Sequence, residues 1–247
     1  MSRGAIHTER DLRWIYCEFL KDIGMRLKVP QLTIATAIVF CHRFYSHHCI
    51  SIHKSDLHII ASACMFLAGK VEETPKSLSD LLKVSTAVKH KDEDGTACSL
   101  MQDSNFVQEQ RELVLRAERR LLHSLAFDFN IEHPYKYLLS TVKQMQGHCR
   151  ISESSTRELA QTAWNFANDS LRTTVCLQHT AQACAHAVIY LATKFMGSKL
   201  TLPKDWCTAL HMDRYVCESI SNEILDLYEM GNRDVYENIA DLSALHG

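Results

Sequence analysis

Ala61-Ser62-Ala63-Cys64-Met65-Phe66-Leu67-Ala68-Gly69-Lys70-Val71-Glu72-Glu73 sets small residues in the middle of an apolar run and ends it on a lysine and two acids. A helix rich in Ala and Gly lets neighbouring helices approach to the close end of the usual interaxial range, so the stretch predicts the central strut of a helical bundle. Its polar end marks where that strut reaches the surface.

Only four prolines and eight glycines punctuate the 247 residues, which favours long helices over strands and hairpins. Before the strut, Leu12, Ile15, Tyr16, Phe19, Ile23 and Leu27 recur as one helical stripe. Pro30 suits the first turn of a second helix carrying Ile34, Ile38, Phe40 and Phe44. Ser55-Asp56 are candidate caps for the strut, the third helix. Ser77 to Val88 predicts a shorter fourth, stopped by the charged run Lys89 to Asp94 and by Gly95. A fifth, from about Asn105, carries Val114, Ala117, Leu121, Leu122 and Leu125.

The strut returns. Ala61, Ala63, Phe66, Leu67, Ala68 and Lys70 recur in kind as Ala185, Ala187, Tyr190, Leu191, Ala192 and Lys194, 124 positions further on, from 61 to 185. Pro75-Lys76 likewise returns as Pro203-Lys204. The offset is half the chain, and similarity at a fixed spacing marks a repeated structural unit. The expected fold is therefore all-α, two tandem bundles of about five helices each. The boundary is expected near Asp128 to His133, because Pro134 disfavours helix at the residue before it. The second bundle reads as helices over Pro134–Gln146, Ser152–Arg172, Thr180–Met196, Pro203–Leu210 and Asp213–Met230, with Gly231 as a stop. The expected organisation is a first bundle over 1–130, a second over 131–231 and a short tail over 232–247. In the tail, Val235, Ile239 and Leu242 fit either a docking helix or a loose end.

Composition excludes several function classes. Hydrophobic residues at 46% and charged residues at 23% describe an ordinary globular chain, and a net charge of −2 gives no global pull towards nucleic acid. Met1 to Asp11 lacks the apolar core of a secretory signal and no Cys-x-x-Cys occurs, so the ten cysteines are expected as thiols in a reducing compartment. Cys64, Cys176 and Cys184 sit among apolar neighbours, as small buried thiols do. No apolar run approaches 18 residues without a charge, so no membrane span is expected. There is no phosphate-cradling glycine loop, nucleophile elbow, His-Glu-x-x-His pair or kinase signature, so no catalytic residue and no cofactor is expected. Cys41, His42, His47, His48, Cys49 and His53 cluster, but more loosely than zinc ligands are spaced, and read better as a histidine-rich helix end than as a metal site.

Two charged residues stand out. Glu118 has Val114, Leu115, Leu121 and Leu122 at three and four positions either side, so its carboxylate emerges beside apolar surface and wants a cationic or N–H partner. Lys70 follows Phe66 and Leu67 in the same manner at the end of the strut. Each is either a surface residue with a hydrated head or one edge of an apolar face that receives a helix from a partner.

The strut signature, with His42-Arg43-Phe44-Tyr45, Lys70-Val71-Glu72-Glu73-Thr74-Pro75-Lys76, Phe127-Asp128 and Glu132-His133-Pro134-Tyr135-Lys136-Tyr137-Leu138-Leu139, resembles the cyclin family, in particular its transcription-type members, cyclin K and cyclin T. Trp164 to Leu171, Thr173-Thr174 and Leu177-Gln178 extend the resemblance into the second half, so that it covers about Leu12 to Tyr228. The resemblance implies a non-catalytic activating subunit that forms a heterodimer with a cyclin-dependent kinase. It further implies the RNA polymerase II carboxy-terminal domain as the kinase's substrate, a nuclear setting and no cofactor. It carries kinase-contact roles onto Lys70 and Glu118. The face around them, with Phe66, Leu67, Glu73, Val114, Leu115 and Leu122, is then the expected kinase-binding surface.

The chain departs from cell-cycle cyclins where Tyr16 and Phe19 replace the leucine and tryptophan of a substrate-docking patch, so docking of Arg-x-Leu peptides is not expected. Trp14, Tyr16 and the insert 89–104 are candidates for a second interface. The rival is a DNA-binding general transcription factor of the TFIIB type, which also consists of two cyclin-like repeats. Arg111, Arg116, Arg119 and Arg120 give the fifth helix positive charge, but the overall balance is slightly acidic, and no direct nucleic-acid contact is expected.

Overall fold

The computed structural model describes residues 8–50, 56–91, 95–200 and 202–230. These are all-helical, with no strand among them, and divide into two compact units, one ending at Ile131 and the other beginning at Glu132. The first contains α1 (Glu9–Leu27), α2 (Gln31–His47), α3 (Leu57–Val71), α4 (Leu78–Lys89), α5 (Thr96–Leu100) and α6 (Ser104–Ser124). The second contains α7 (Tyr135–His148), α8 (Glu153–Ser170), α9 (Val175–Gln178), α10 (Ala181–Met196), α11 (Trp206–Ala209) and α12 (Arg214–Met230).

The strut is α3, packed chiefly against α2 and α6. Ala61, Ala63, Cys64 and Ala68 have no exposed surface, so neighbouring helices lie directly on its backbone. Larger side chains fill the space around it: Tyr16, Leu20 and Ile23 from α1, Phe40 and Phe44 from α2, and Leu121 from α6. Gly24 allows the equally close contact of α1 with α2, since a Cβ there would lie 2.4 Å from Ile34 Cγ1. In the second unit α10 takes the place of α3, packing against α7, α8 and α12, and the 124-residue repeat falls on these two helices.

Caps fix where helices begin. Thr8 and Asp11 form a reciprocal capping box on α1, and the hydroxyls of Ser77, Ser152 and Thr180 accept the first free N–H groups of α4, α8 and α10. Other starts differ from expectation. Pro30 lies just before α2 rather than in its first turn. Asp56 makes no side-chain cap on α3 and lies instead 3.8 Å from the Arg120 guanidinium, while Ser55 is outside the described residues. The insert holds a five-residue helix, α5, so the fifth helix expected from sequence is α6. Gly231 and the tail 232–247 also lie outside the described residues.

A polar group is built into the first core. The Tyr16 hydroxyl meets His42 Nδ1, Arg13 Nη1 donates to the Tyr16 oxygen at 3.1 Å, and Glu9 accepts from Arg13 Nη2 at 2.6 Å. Tyr16 is fully buried, which corrects its candidacy for a second interface, and burial pushes its phenol well above the usual range. Leu12, Ile15 and Phe19 are buried with it, so this stretch offers no open patch. The histidine-rich segment also disperses: Cys41 packs beside Cys64, His42 faces Tyr16, the His48 ring meets Phe44, and Cys49 is exposed. Among the described residues no group of three His, Cys, Asp or Glu is placed to hold a metal, and His53 lies outside them.

Two outcomes follow from this packing. Gly24→Ala overpacks the α1–α2 contact and is expected to lower stability by about 1–3 kcal/mol, read by denaturant unfolding. His186, buried in α10, has its pKa lowered by desolvation, so the unfolded chain binds its proton first as pH falls below about 6.5. Stability should therefore drop from that pH down to the folded pKa and then level. His186→Gln should give a shallower dependence of Tm on pH between about 7 and 5; an unchanged slope would contradict the assignment.

Candidate functional site

The site forms where α3 ends. After Val71 the chain doubles back, with Glu72 N donating to Ala68 O at 2.9 Å and Thr74 N to Gly69 O at 2.8 Å, while Glu73 takes a left-handed φ of 55°. A Cβ on Gly69 would stand 3.2 Å from the Thr74 carbonyl oxygen, so the glycine lets the turn close onto the helix. Two bonds then tie the turn to α2: Thr36 Oγ1 donates to Glu72 Oε1 at 2.6 Å, and the Thr33 and Thr74 hydroxyls meet at 2.9 Å. Lys70 thus projects from a helix end that is held on two sides.

Its ammonium donates to Glu118 Oε1 of α6 at 2.6 Å and lies 4.0 Å from the Phe66 ring centroid. The Glu118 side chain is 11% exposed and that of Lys70 46%. A carboxylate so nearly buried needs a cation, and this chain supplies it from 48 residues away. Glu118 is therefore not a surface acid with a freely hydrated head. The two residues singled out separately in the sequence form one ion pair.

The other expected site residues sort by exposure. Phe66, Leu115 and Leu122 are half-buried and leave apolar surface beside the pair, and Glu73 is exposed. Leu67 and Val114 are only 5% and 2% exposed and belong to the core, so they support the face from beneath instead of forming it. Helical spacing shows which residues share a face; it does not show how deep the neighbouring helix reaches.

Phe127 was legible in the sequence only as part of a motif. It stands 59% exposed just beyond α6, where Ala126 and Phe127 adopt successive left-handed φ values of 49° and 58°. Such backbone is unfavourable for residues with a Cβ and is held here by Phe127 N donating to Leu122 O and Asp128 N to Leu125 O. The Phe127 ring leans edge-on against His123 and Phe129. It adds a large apolar group at the end of the helix that carries Leu122 and Glu118.

The second unit repeats the arrangement only in part. Lys194 lies 5.2 Å from the Tyr190 ring centroid, as Lys70 lies on Phe66. The acid there, Glu218 of α12, accepts from Arg214 Nε and the Tyr190 hydroxyl, both at 2.8 Å, and these donors hold its carboxyl below the usual range. Chemically reactive thiols are not in prospect at the buried cysteines: burial pushes Cys184 up to about 11 and Cys217 up to about 12, so both stay protonated at neutral pH.

The family model for the cyclin N-terminal domain matches residues 2–130. Cyclin-T1-4 of Arabidopsis thaliana is 43% identical over 246 residues, covering 98% of this chain and 43% of the relative. Cyclin-K of Homo sapiens is 36% identical over 242 residues, covering 92% of this chain and 38% of the relative. The chain thus spans less than half the length of these two curated relatives. Among solved structures, a chain of the yeast RNA Pol II CTD kinase CTDK-1 complex superposes with a TM-score of 0.67 at 18% identity, covering all of this chain and 84% of that one. At that identity the likeness is one of fold.

The ion pair yields a direct test of stability. Lys70→Met strands a nearly buried carboxylate and is expected to cost about 1–3 kcal/mol, towards the low end because Lys70 is half exposed. Lys70→Met with Glu118→Leu should recover most of that loss in the same unfolding measurement.

Proposed function

The chain belongs to the cyclin family, and from that premise we propose that it is the activating subunit of a cyclin-dependent serine/threonine kinase, one that phosphorylates the RNA polymerase II carboxy-terminal domain in the nucleus during transcription elongation. The observation that carries this reading is the Lys70–Glu118 pair, set at the edge of apolar surface from Phe66, Leu115 and Leu122. That the relatives are cyclin T and cyclin K, and that the CTDK-1 complex is an RNA Pol II CTD kinase, supports the choice of kinase class.

The mechanism is conversion of binding energy into a population shift. The kinase's mobile helix lies against the α3–α6 face and is pressed inward, which lets the kinase's own Lys–Glu ion pair form and its activation segment order. The cyclin contributes no reacting group; it stabilises the active arrangement by binding it better than the inactive one. An ion pair already closed within the cyclin suits this task. Covering a lone charge costs several kcal/mol, whereas a pre-formed pair is partly compensated before the partner arrives and still offers a fixed dipole that a complementary helix can read.

That dipole sets the test. Glu118→Arg sets two cations together and should weaken kinase binding by about tenfold or more. The double reversal, Lys70→Glu with Glu118→Lys, restores an internal pair of opposite polarity, so the chain should fold normally yet fail to activate the kinase. Normal activation of a carboxy-terminal-repeat peptide kinase by the double variant would remove the role assigned to these residues.

A further inference from the structure

The α6 helix carries a charge pattern that the ion pair leaves unexplained. Arg111, Leu115, Glu118, Arg119 and Leu122 fall at i, i+4, i+7, i+8 and i+11, one continuous stripe along the helix. Leu115 and Leu122 are half-buried, and Arg111 and Arg119 are exposed.

The four arginines of this helix are not alike. Arg116 takes Glu112 at 3.1 Å, and Arg120 lies 3.8 Å from Asp56 with its guanidinium over the Phe44 ring. Among the described residues no hydrogen bond or ion pair reaches Arg111 or Arg119. The acid on their own stripe, Glu118, is taken by Lys70, and the next along the helix, Glu112, is engaged by Arg116 and Gln108. Among the described residues the stripe therefore presents two leucines with an uncompensated guanidinium at Arg111 and another at Arg119.

We propose that Arg111 and Arg119 set partner specificity, selecting a kinase helix whose apolar residues are flanked by carboxylates. This rests on the function proposed above and adds the chemistry of the partner to it. Covering an arginine without a matching acid is unfavourable, whereas its planar fork can take a carboxylate through two parallel hydrogen bonds. A kinase with lysine or arginine at the facing positions is repelled, so the same residues reject as well as attract. Arg119 follows Arg111 by eight helical positions, which places the acids sought on the partner about 12 Å apart.

The test uses the full chain and a panel of purified cyclin-dependent kinases that differ in acidic residues on the helix facing the cyclin. With the kinase that binds best, Arg111→Glu and Arg119→Glu should each weaken association about fivefold or more and flatten its dependence on salt. Arg116→Glu, on the same helix but off the stripe, should change it less than about twofold. Unfolding midpoints should stay unchanged, and replacing the facing kinase acid by arginine should restore affinity to the Arg119→Glu chain. Wild-type affinity in the double variant Arg111→Glu/Arg119→Glu, with binding still lost on Glu118→Arg, would overturn this proposal and leave the activating role standing. Failure of the wild-type chain to bind any kinase would overturn both.

Discussion

Close packing around α3 is the constraint on which the rest of the first unit depends. Ala61, Ala63, Cys64 and Ala68 bring α2 and α6 onto the strut's backbone, and Gly69 lets the following turn fold back onto its end. Because these contacts are backbone-close, small displacements are resisted by steric repulsion rather than absorbed by flexible side chains. Lys70 consequently emerges at a fixed height against α6, where Glu118 waits within hydrogen-bond reach. A larger residue in the strut would alter the pair without touching either member of it.

The same geometry repeats at α10 with different electrostatics. Small residues again line the central helix, and a lysine again lies on an aromatic ring four positions earlier. Yet Glu218 takes its hydrogen bonds from Arg214 of its own helix and from the Tyr190 hydroxyl, and Lys194 acts on it only through its charge. The repeat preserved the packing rule of the bundle while the polar chemistry at the end of the strut diverged. Packing and surface chemistry are separable in this fold, and a partner that reads the first unit need not read the second.

How much of this was legible in the sequence depended on the range of the interaction. The strut, its repeat and the long helices were readable because small-residue and apolar periodicities are local properties of the chain. The need of Glu118 for a cation was also readable from its neighbours, but not the identity of Lys70, which lies 48 residues away across a helix contact. Tyr16 looked like a candidate surface residue because nothing near it in sequence reveals His42, whose ring takes its hydroxyl inside the core. Leu67 and Val114 share a face with true surface residues, and only the depth of the neighbouring helices shows that they are covered. The short α5 gave no periodic signal at five residues, and Phe127 could be seen as a surface group only once its left-handed backbone was known.

The central claim is that a kinase is engaged through the end of α3 and the exposed stripe of α6. Hydrogen exchange of the full chain, alone and with a bound cyclin-dependent kinase, tests it most directly. Kinase binding is expected to add protection over residues 66–74 and 111–127 and to leave the core of the second unit unchanged. Protection confined to the second unit, or none in the first despite stable association, would contradict it.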